Sequence, residues 1–149
     1  MEQLYVTTSK TPKKLAINPL FNADPFYRYQ MPQLIVEITK GKTRLINLDE
    51  VSKSLKVDPL YISRYFGGTL GTQVKHNGKS PVEISGTFDN ERLSLILVNF
   101  IQKFILCPDC DMPELNKKGN TLLCQACGWN GKIDKMDLPE SFKKYVVSH

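Results

Sequence analysis

The sequence predicts an α+β fold: a small α/β domain whose mixed sheet is covered by one long helix, followed by a compact cysteine-rich module. Three observations predict it. Short stretches suited to strands at 34–38, 44–48, 73–76 and 82–85 are interleaved with helical segments. Leu93, Ile96, Leu97, Phe100, Ile101 and Phe104 recur at helical spacing and form one continuous apolar face over residues 89–105. Two Cys-x-x-Cys pairs, Cys107 with Cys110 and Cys124 with Cys127, follow that helix directly.

Taken in order, residues 1–22 show neither helical nor strand periodicity and contain Ser, Thr, Pro and Lys, the pattern of a mobile N-terminal arm. Asp24-Pro25 and Met31-Pro32 bracket the aromatic stretch Phe26-Tyr27-Arg28-Tyr29, and a residue before proline is pushed towards extended backbone. The strands at 34–38 and 44–48 are joined by a basic turn, Thr39-Lys40-Gly41-Lys42. A short helix over 49–55 comes next. Asp58 as N-cap and Pro59 at the first helical position start a second helix, which Gly67-Gly68 is expected to stop near Phe66. A hairpin with its turn at Asn77-Gly78 then leads to the long helix at 89–105, whose apolar face needs a sheet to cover. The expected organisation is an arm (1–22), an α/β domain (23–105), a ribbon (106–137) and a tail (138–149).

The chain has 149 residues, enough for one ordinary core or a small domain with an appendage. Its apolar runs are only about four residues long, which excludes a membrane-spanning helix and leaves no signal-peptide core. A cytoplasmic, reducing setting is therefore expected, in which cysteines bind metal more readily than they pair. The net charge is +5, and residues 40–79 hold eight basic side chains against three acidic ones, so this stretch carries the whole excess. A concentrated positive surface suits an anionic partner such as RNA or a nucleotide phosphate; an ordinary solvated face is the alternative. His76 and His149 stand apart, and neither a P-loop nor a nucleophile in a recognisable setting occurs, which argues against a self-contained enzyme.

The two cysteine pairs are separated by thirteen residues. Each pair can present two thiolates from one tight turn, and two facing turns make a tetrahedral site for structural zinc with ligands Cys107, Cys110, Cys124 and Cys127. Gly128 permits the turn after the second pair. Four thiolates close the coordination sphere, so the metal folds the module and does not catalyse. Two disulfides or a redox pair are the rival readings.

The order of these features carries a resemblance. The segment Asp24-Pro25-Phe26-Tyr27-Arg28-Tyr29-Gln30-Met31-Pro32 precedes a strand. Tyr65-Phe66-Gly67 and Leu70-Gly71 come later, and the long helix ends in Phe100-Ile101-Gln102-Lys103-Phe104-Ile105-Leu106-Cys107-Pro108-Asp109-Cys110. Together they closely resemble the N-terminal domain of the eukaryotic translation initiation factor 5 family, over about three-quarters of the chain. The beta subunit of initiation factor 2 shares the architecture but resembles the chain less, because the aromatic-arginine-aromatic segment belongs to the factor 5 branch.

The resemblance implies that Arg28 is an arginine finger supplied in trans to the gamma subunit of GTP-bound initiation factor 2. Such fingers are worth roughly 10³–10⁵ in rate. Read from the residues alone, Arg28 stacks between Tyr27 and Tyr29 or pairs with a carboxylate, and anchors the first strand. Lys42 and Arg64 also match basic positions of the family, which has lysine at the second; both are assigned as contacts to the GTPase or RNA. The turn around Lys40, Gly41 and Lys42 matches the family's contact region for initiator tRNA and the mRNA start codon on the small ribosomal subunit, although it is a few residues shorter here. The family continues into a helical-repeat domain that binds the beta subunit of initiation factor 2. This chain stops at His149 and is expected to be a short, monomeric form.

Two other readings use the same features. One is an RNA- or ribosome-binding ribbon module without activating power, with the helices at 49–55 and 59–66 taken for a helix-turn-helix; its second helix, carrying Leu60, Tyr61, Ile62 and Phe66, has the composition of a core helix. The other is a competitive mimic of the cellular factor.

Overall fold

The computed structural model describes residues 4–18, 29–75 and 82–148. The α+β expectation holds. A five-stranded mixed sheet has the order β1-β4-β5-β7-β6, formed by Val6–Thr7 (β1), Leu34–Thr39 (β4), Lys42–Leu45 (β5), Val82–Ser85 (β7) and Val74–Lys75 (β6). Only the β1–β4 pair is parallel. Lys14–Ala16 (β2) and Gln30–Pro32 (β3) make a separate antiparallel pair. The β4–β5 connection is a two-residue turn with Lys40 and Gly41 both at positive φ (50° and 74°), the geometry that suits the twist of a hairpin.

Alternation within the strands divides the sheet into two faces. Val36, Thr43, Leu45, Val82 and Ile84 are buried, while Glu37, Arg44 and Glu83 form a charged row on the other side. The helix Asn90–Phe100 (α3) supplies the buried Leu93, Ile96, Leu97 and Phe100. Asp89 starts it by accepting the Arg92 N–H at 2.8 Å. The same rod continues through Ile101–Ile105 as one π-helical turn, closed by Leu106 N–H to the Ile101 carbonyl at 2.8 Å. Phe104 and Ile105 therefore stay in the core while Leu106 turns into extended backbone and delivers Cys107.

Three sequence expectations are corrected. Residues 4–18 belong to the fold and are no free arm: Tyr5 is buried, its N–H donates to Ser94 Oγ at 2.8 Å and its hydroxyl donates to the Ala16 carbonyl. Strands of two and three residues are too short to show a period. The helix Pro59–Leu70 (α2), which follows the helix Leu48–Leu55 (α1), runs through Gly67 and Gly68 and ends at Gly71, the left-handed cap with φ 65°. The two inner glycines are there for space: a Cβ on Gly67 would stand 2.9 Å from Val74 Cγ2, and one on Gly68 2.9 Å from Pro139 Cβ. Finally, the tail contains a helix, Glu140–Ser148 (α4), that seats the fully buried Phe142 and Val146 in the core. The hairpin turn expected at Asn77-Gly78 lies outside the described residues, although its flanking strands β6 and β7 pair as expected.

Candidate metal centre and adjoining surfaces

The cysteine module is a three-stranded antiparallel sheet, β10-β9-β8, built from Leu115–Lys118 (β8), Thr121–Cys124 (β9) and Asn130–Lys132 (β10). Each Cys-x-x-Cys pair forms a tight knuckle. In the first, Asp111 N–H donates to the Cys107 carbonyl at 2.9 Å and Asp109 N–H points at Cys107 Sγ at 3.3 Å. In the second, Gly128 N–H donates to the Cys124 carbonyl at 3.0 Å. The residue after each knuckle is left-handed, Asp111 at φ 62° and Gly128 at φ 84°. The sequence points to the second of these and not to the first, because aspartate, although enriched among the non-glycine residues that adopt this region, adopts it only occasionally.

The knuckles face each other. All four sulfurs lie within 4.8 Å of one another, and Cys107 to Cys127 and Cys110 to Cys124 are each 3.6 Å. A metal with sulfur bonds of about 2.3 Å places the corners of its tetrahedron about 3.8 Å apart, so the four residues fit such an ion. Separations of 3.6 Å are far too long for disulfides, which excludes the paired reading in this geometry.

The electrostatics of the cluster agree. Burial opposes ionisation of Cys124, but N–H groups of Cys127 and Ala126 and neighbouring sulfurs outweigh it and bring the thiol down to about 7. At Cys127 the N–H of Trp129 favours the thiolate, yet desolvation and the three other sulfurs push it up to about 12. Backbone donors thus prepare the site for negative charge that four adjacent sulfurs cannot share without a cation. These four cysteines can hold a metal ion.

Of the remaining candidates, Tyr27 and Arg28 lie outside the described residues. Tyr29 is half-buried beside the core and donates its hydroxyl to Glu114 Oε1 at 2.9 Å. Lys40 and Gly41 form the exposed β4–β5 turn, and Lys42 at its end lies 3.8 Å from Glu83 Oε2. Arg64 is in a different setting. It projects from α2 with its guanidinium 4.8 Å from the ring centre of Tyr145 on α4. It also lines a groove of about 400 Å³ with Ser63, Gly67, Gly68, Lys75 and Ser141. In α2, Ile62, Tyr65 and Phe66 are buried, so this helix is a core helix, not one laid out to read bases. Sequence reasoning missed Glu114, Asn18 and Tyr145, which meet their partners only through contacts distant in the chain. No helix among the described residues is long and apolar enough to cross a membrane.

Comparison with known proteins agrees with this architecture. A family model described as a domain found in initiation factors 2B and 5 matches residues 20–130. Eukaryotic translation initiation factor 5 of Mus musculus is 40% identical over 123 residues, covering 75% of this chain and 29% of the relative. The proteins of the same name from Caenorhabditis elegans and Drosophila melanogaster are each 40% identical over 121 residues. They cover 75% and 74% of this chain and 28% and 26% of their own lengths. The chain thus spans less than a third of the length of these relatives. With the matched region taking in four of the five strands of the α/β sheet, the long helix and both cysteine knuckles, the chain belongs to the family defined by the domain found in initiation factors 2B and 5.

Proposed function

We propose that this protein is a translation initiation factor 5-like activator of GTP hydrolysis by initiation factor 2, with Arg28 as an arginine finger and a structural zinc ion held by Cys107, Cys110, Cys124 and Cys127. The observation that carries the reading is the family match over residues 20–130, which takes in Phe26-Tyr27-Arg28-Tyr29 as well as the ribbon. On this reading the α/β part over 23–105 carries the activating residue and the ribbon over 106–137 supports it.

The chemistry follows from phosphoryl transfer. Negative charge spreads over the oxygens of the transferring group, and a guanidinium that arrives only with the activator stabilises it without trapping the ground state. Its planar fork donates two parallel hydrogen bonds, which a lysine ammonium cannot do. Four sulfurs complete a tetrahedral zinc sphere and leave no position for water or substrate, so zinc serves folding. Lys40, Gly41 and Lys42 on the exposed β4–β5 turn are the proposed contact to initiator tRNA and the start-codon region of the small ribosomal subunit. Lys42 and Arg64 are supporting contacts to the GTPase or RNA. The protein works as a cytoplasmic monomer and meets both the gamma and beta subunits of initiation factor 2.

The test is single-turnover GTP hydrolysis by initiation factor 2 bound to initiator tRNA and small subunits, with no addition, this protein, or its Arg28→Ala variant. Arg28→Ala is expected to remove most of a roughly 10³-fold or larger acceleration while binding persists. Arg28→Lys is expected to restore little of it. A second reading is favoured by the basic groove containing Arg64 and Lys75, which has no acidic lining residue among the described residues. It is an RNA-binding module or competitive mimic, and it predicts binding without acceleration at saturating protein.

A further inference from the structure

We propose that the cysteine ribbon positions the β2–β3 pair, whose connecting residues 19–28 include Arg28, through a hydrogen-bonded seam in which Tyr29 and Glu114 are positioning residues. The inference rests on the arginine-finger reading above and adds what holds the two flanking strands in register.

The two strands close on one another through Ile17 N–H, which donates to the Tyr29 carbonyl at 2.8 Å. Asn18 and Tyr29 are thus the described residues on either side of 19–28, and both reach the ribbon. The Tyr29 hydroxyl donates to Glu114 Oε1 at 2.9 Å across 85 residues of sequence, and Asn18 Nδ2 donates to the Asp111 carbonyl at 3.4 Å across 93. Asn18 is buried, and Tyr29 and Glu114 are half-buried, so these bonds lie in the seam between the two parts of the molecule.

Their ribbon ends are tied to the knuckles themselves. Asp111 directly follows Cys110 and donates its N–H to the Cys107 carbonyl. Glu114 accepts the N–H of Gln125, the neighbour of Cys124, at 2.9 Å through its own carbonyl. Each knuckle therefore fixes one anchor. A hydroxyl on an ionised carboxylate is the stronger of the two contacts, and at 3.4 Å the amide contact is the weaker. Neither strand β2 nor β3 is paired into the five-stranded sheet, so the ribbon supplies restraint that the sheet does not.

The test uses the full metal-loaded chain and four variants: Tyr29→Phe, Glu114→Ala, their double, and Glu114→Gln, which keeps an acceptor. The first readout is amide hydrogen exchange at residues 14–17 and 29–32. Tyr29→Phe and Glu114→Ala are each expected to speed it about tenfold, the scale of one charge-assisted hydrogen bond. The double should be no faster than either single, and Glu114→Gln should recover most of the protection, with metal content unchanged throughout. The second readout is GTP hydrolysis, where the maximal rate should fall about as far as exchange rises while the half-saturating concentration stays put. Exchange that is unchanged in both singles, or that adds independently in the double, overturns the coupling even if the wild type accelerates hydrolysis. Exchange that behaves as expected, in a protein that never accelerates hydrolysis, supports the coupling and removes the arginine-finger reading instead.

Discussion

Asn47 illustrates how single residues join elements in this fold. Buried at the start of α1, it offers no side-chain cap to that helix; its Oδ1 accepts the Ile35 N–H at 2.7 Å and its Nδ2 donates to the Gln33 carbonyl at 3.0 Å. It thereby satisfies two backbone groups of the β3–β4 junction that would otherwise be buried without partners. Gly68 works by absence. Alanine in mid-helix is intrinsically favoured over glycine by about 1 kcal/mol. Here the added Cβ would lie 2.9 Å from both Pro139 Cβ and Ser141 Oγ, and a proline ring on the backbone cannot swing aside. Overpacking of that kind costs about 1–3 kcal/mol, so it outweighs the propensity gain. Gly68→Ala is expected to lower stability by up to about 2 kcal/mol in urea unfolding, by displacing α4. A stabilised variant would show that α4 does not sit on α2 as described.

At the scale of elements, what is legible in the sequence tracks the length of its patterns. The helix at α3 shows six apolar residues in register and is readable, as are the cysteine knuckles, whose spacing is itself the signal. β1 and β2 have two and three residues and borrow their stability from α3, β4 and β3, so nothing local announces them. The Gly67-Gly68 pair reads locally as a helix stop because its reason, close approach of β6 and α4, lies elsewhere in the chain. The Tyr29–Glu114 contact is invisible for the same reason. Helix α4 is the strongest case: its sequence reads as a tail, yet Phe142 makes edge-on ring contacts with Tyr65 at 5.1 Å, Phe104 at 5.5 Å and Phe100 at 6.0 Å between centres. Phe142→Ala would leave a ring-sized cavity in that cluster and is expected to cost about 3–5 kcal/mol in chemical denaturation. A change comparable to that of an exposed α4 residue such as Lys144 would sink the claim that α4 belongs to the core.

For the molecule as a whole, the decisive feature is that the ribbon shares its apolar core with the rest of the fold. Leu122 and Ile133 are buried in the same cluster as Leu106, Phe100 and Phe142, and α4 leaves the ribbon only to return to α2. Ion pairs add little across this seam: the exposed contact between Lys103 and Asp137 at 3.6 Å is of the kind worth less than about 1 kcal/mol. Metal removal should therefore be felt well beyond the knuckles. The chain's one tryptophan, Trp129, sits in the ribbon against Gly131, while the long helices α2 and α3 lie outside it, so fluorescence and far-ultraviolet circular dichroism report different parts. With metal bound, both signals are expected to melt together, since one core gives one cooperative transition. After chelation the tryptophan transition should vanish, and the helical midpoint should fall by roughly 5–10 °C, the equivalent of a few kcal/mol for a chain of this size. Two independently folded parts would give the opposite result, a helical midpoint unmoved by the chelator. That outcome would also undercut the proposed route from the cysteine knuckles to the β2–β3 pair, because a ribbon whose loss leaves the rest of the fold untouched supplies it no restraint.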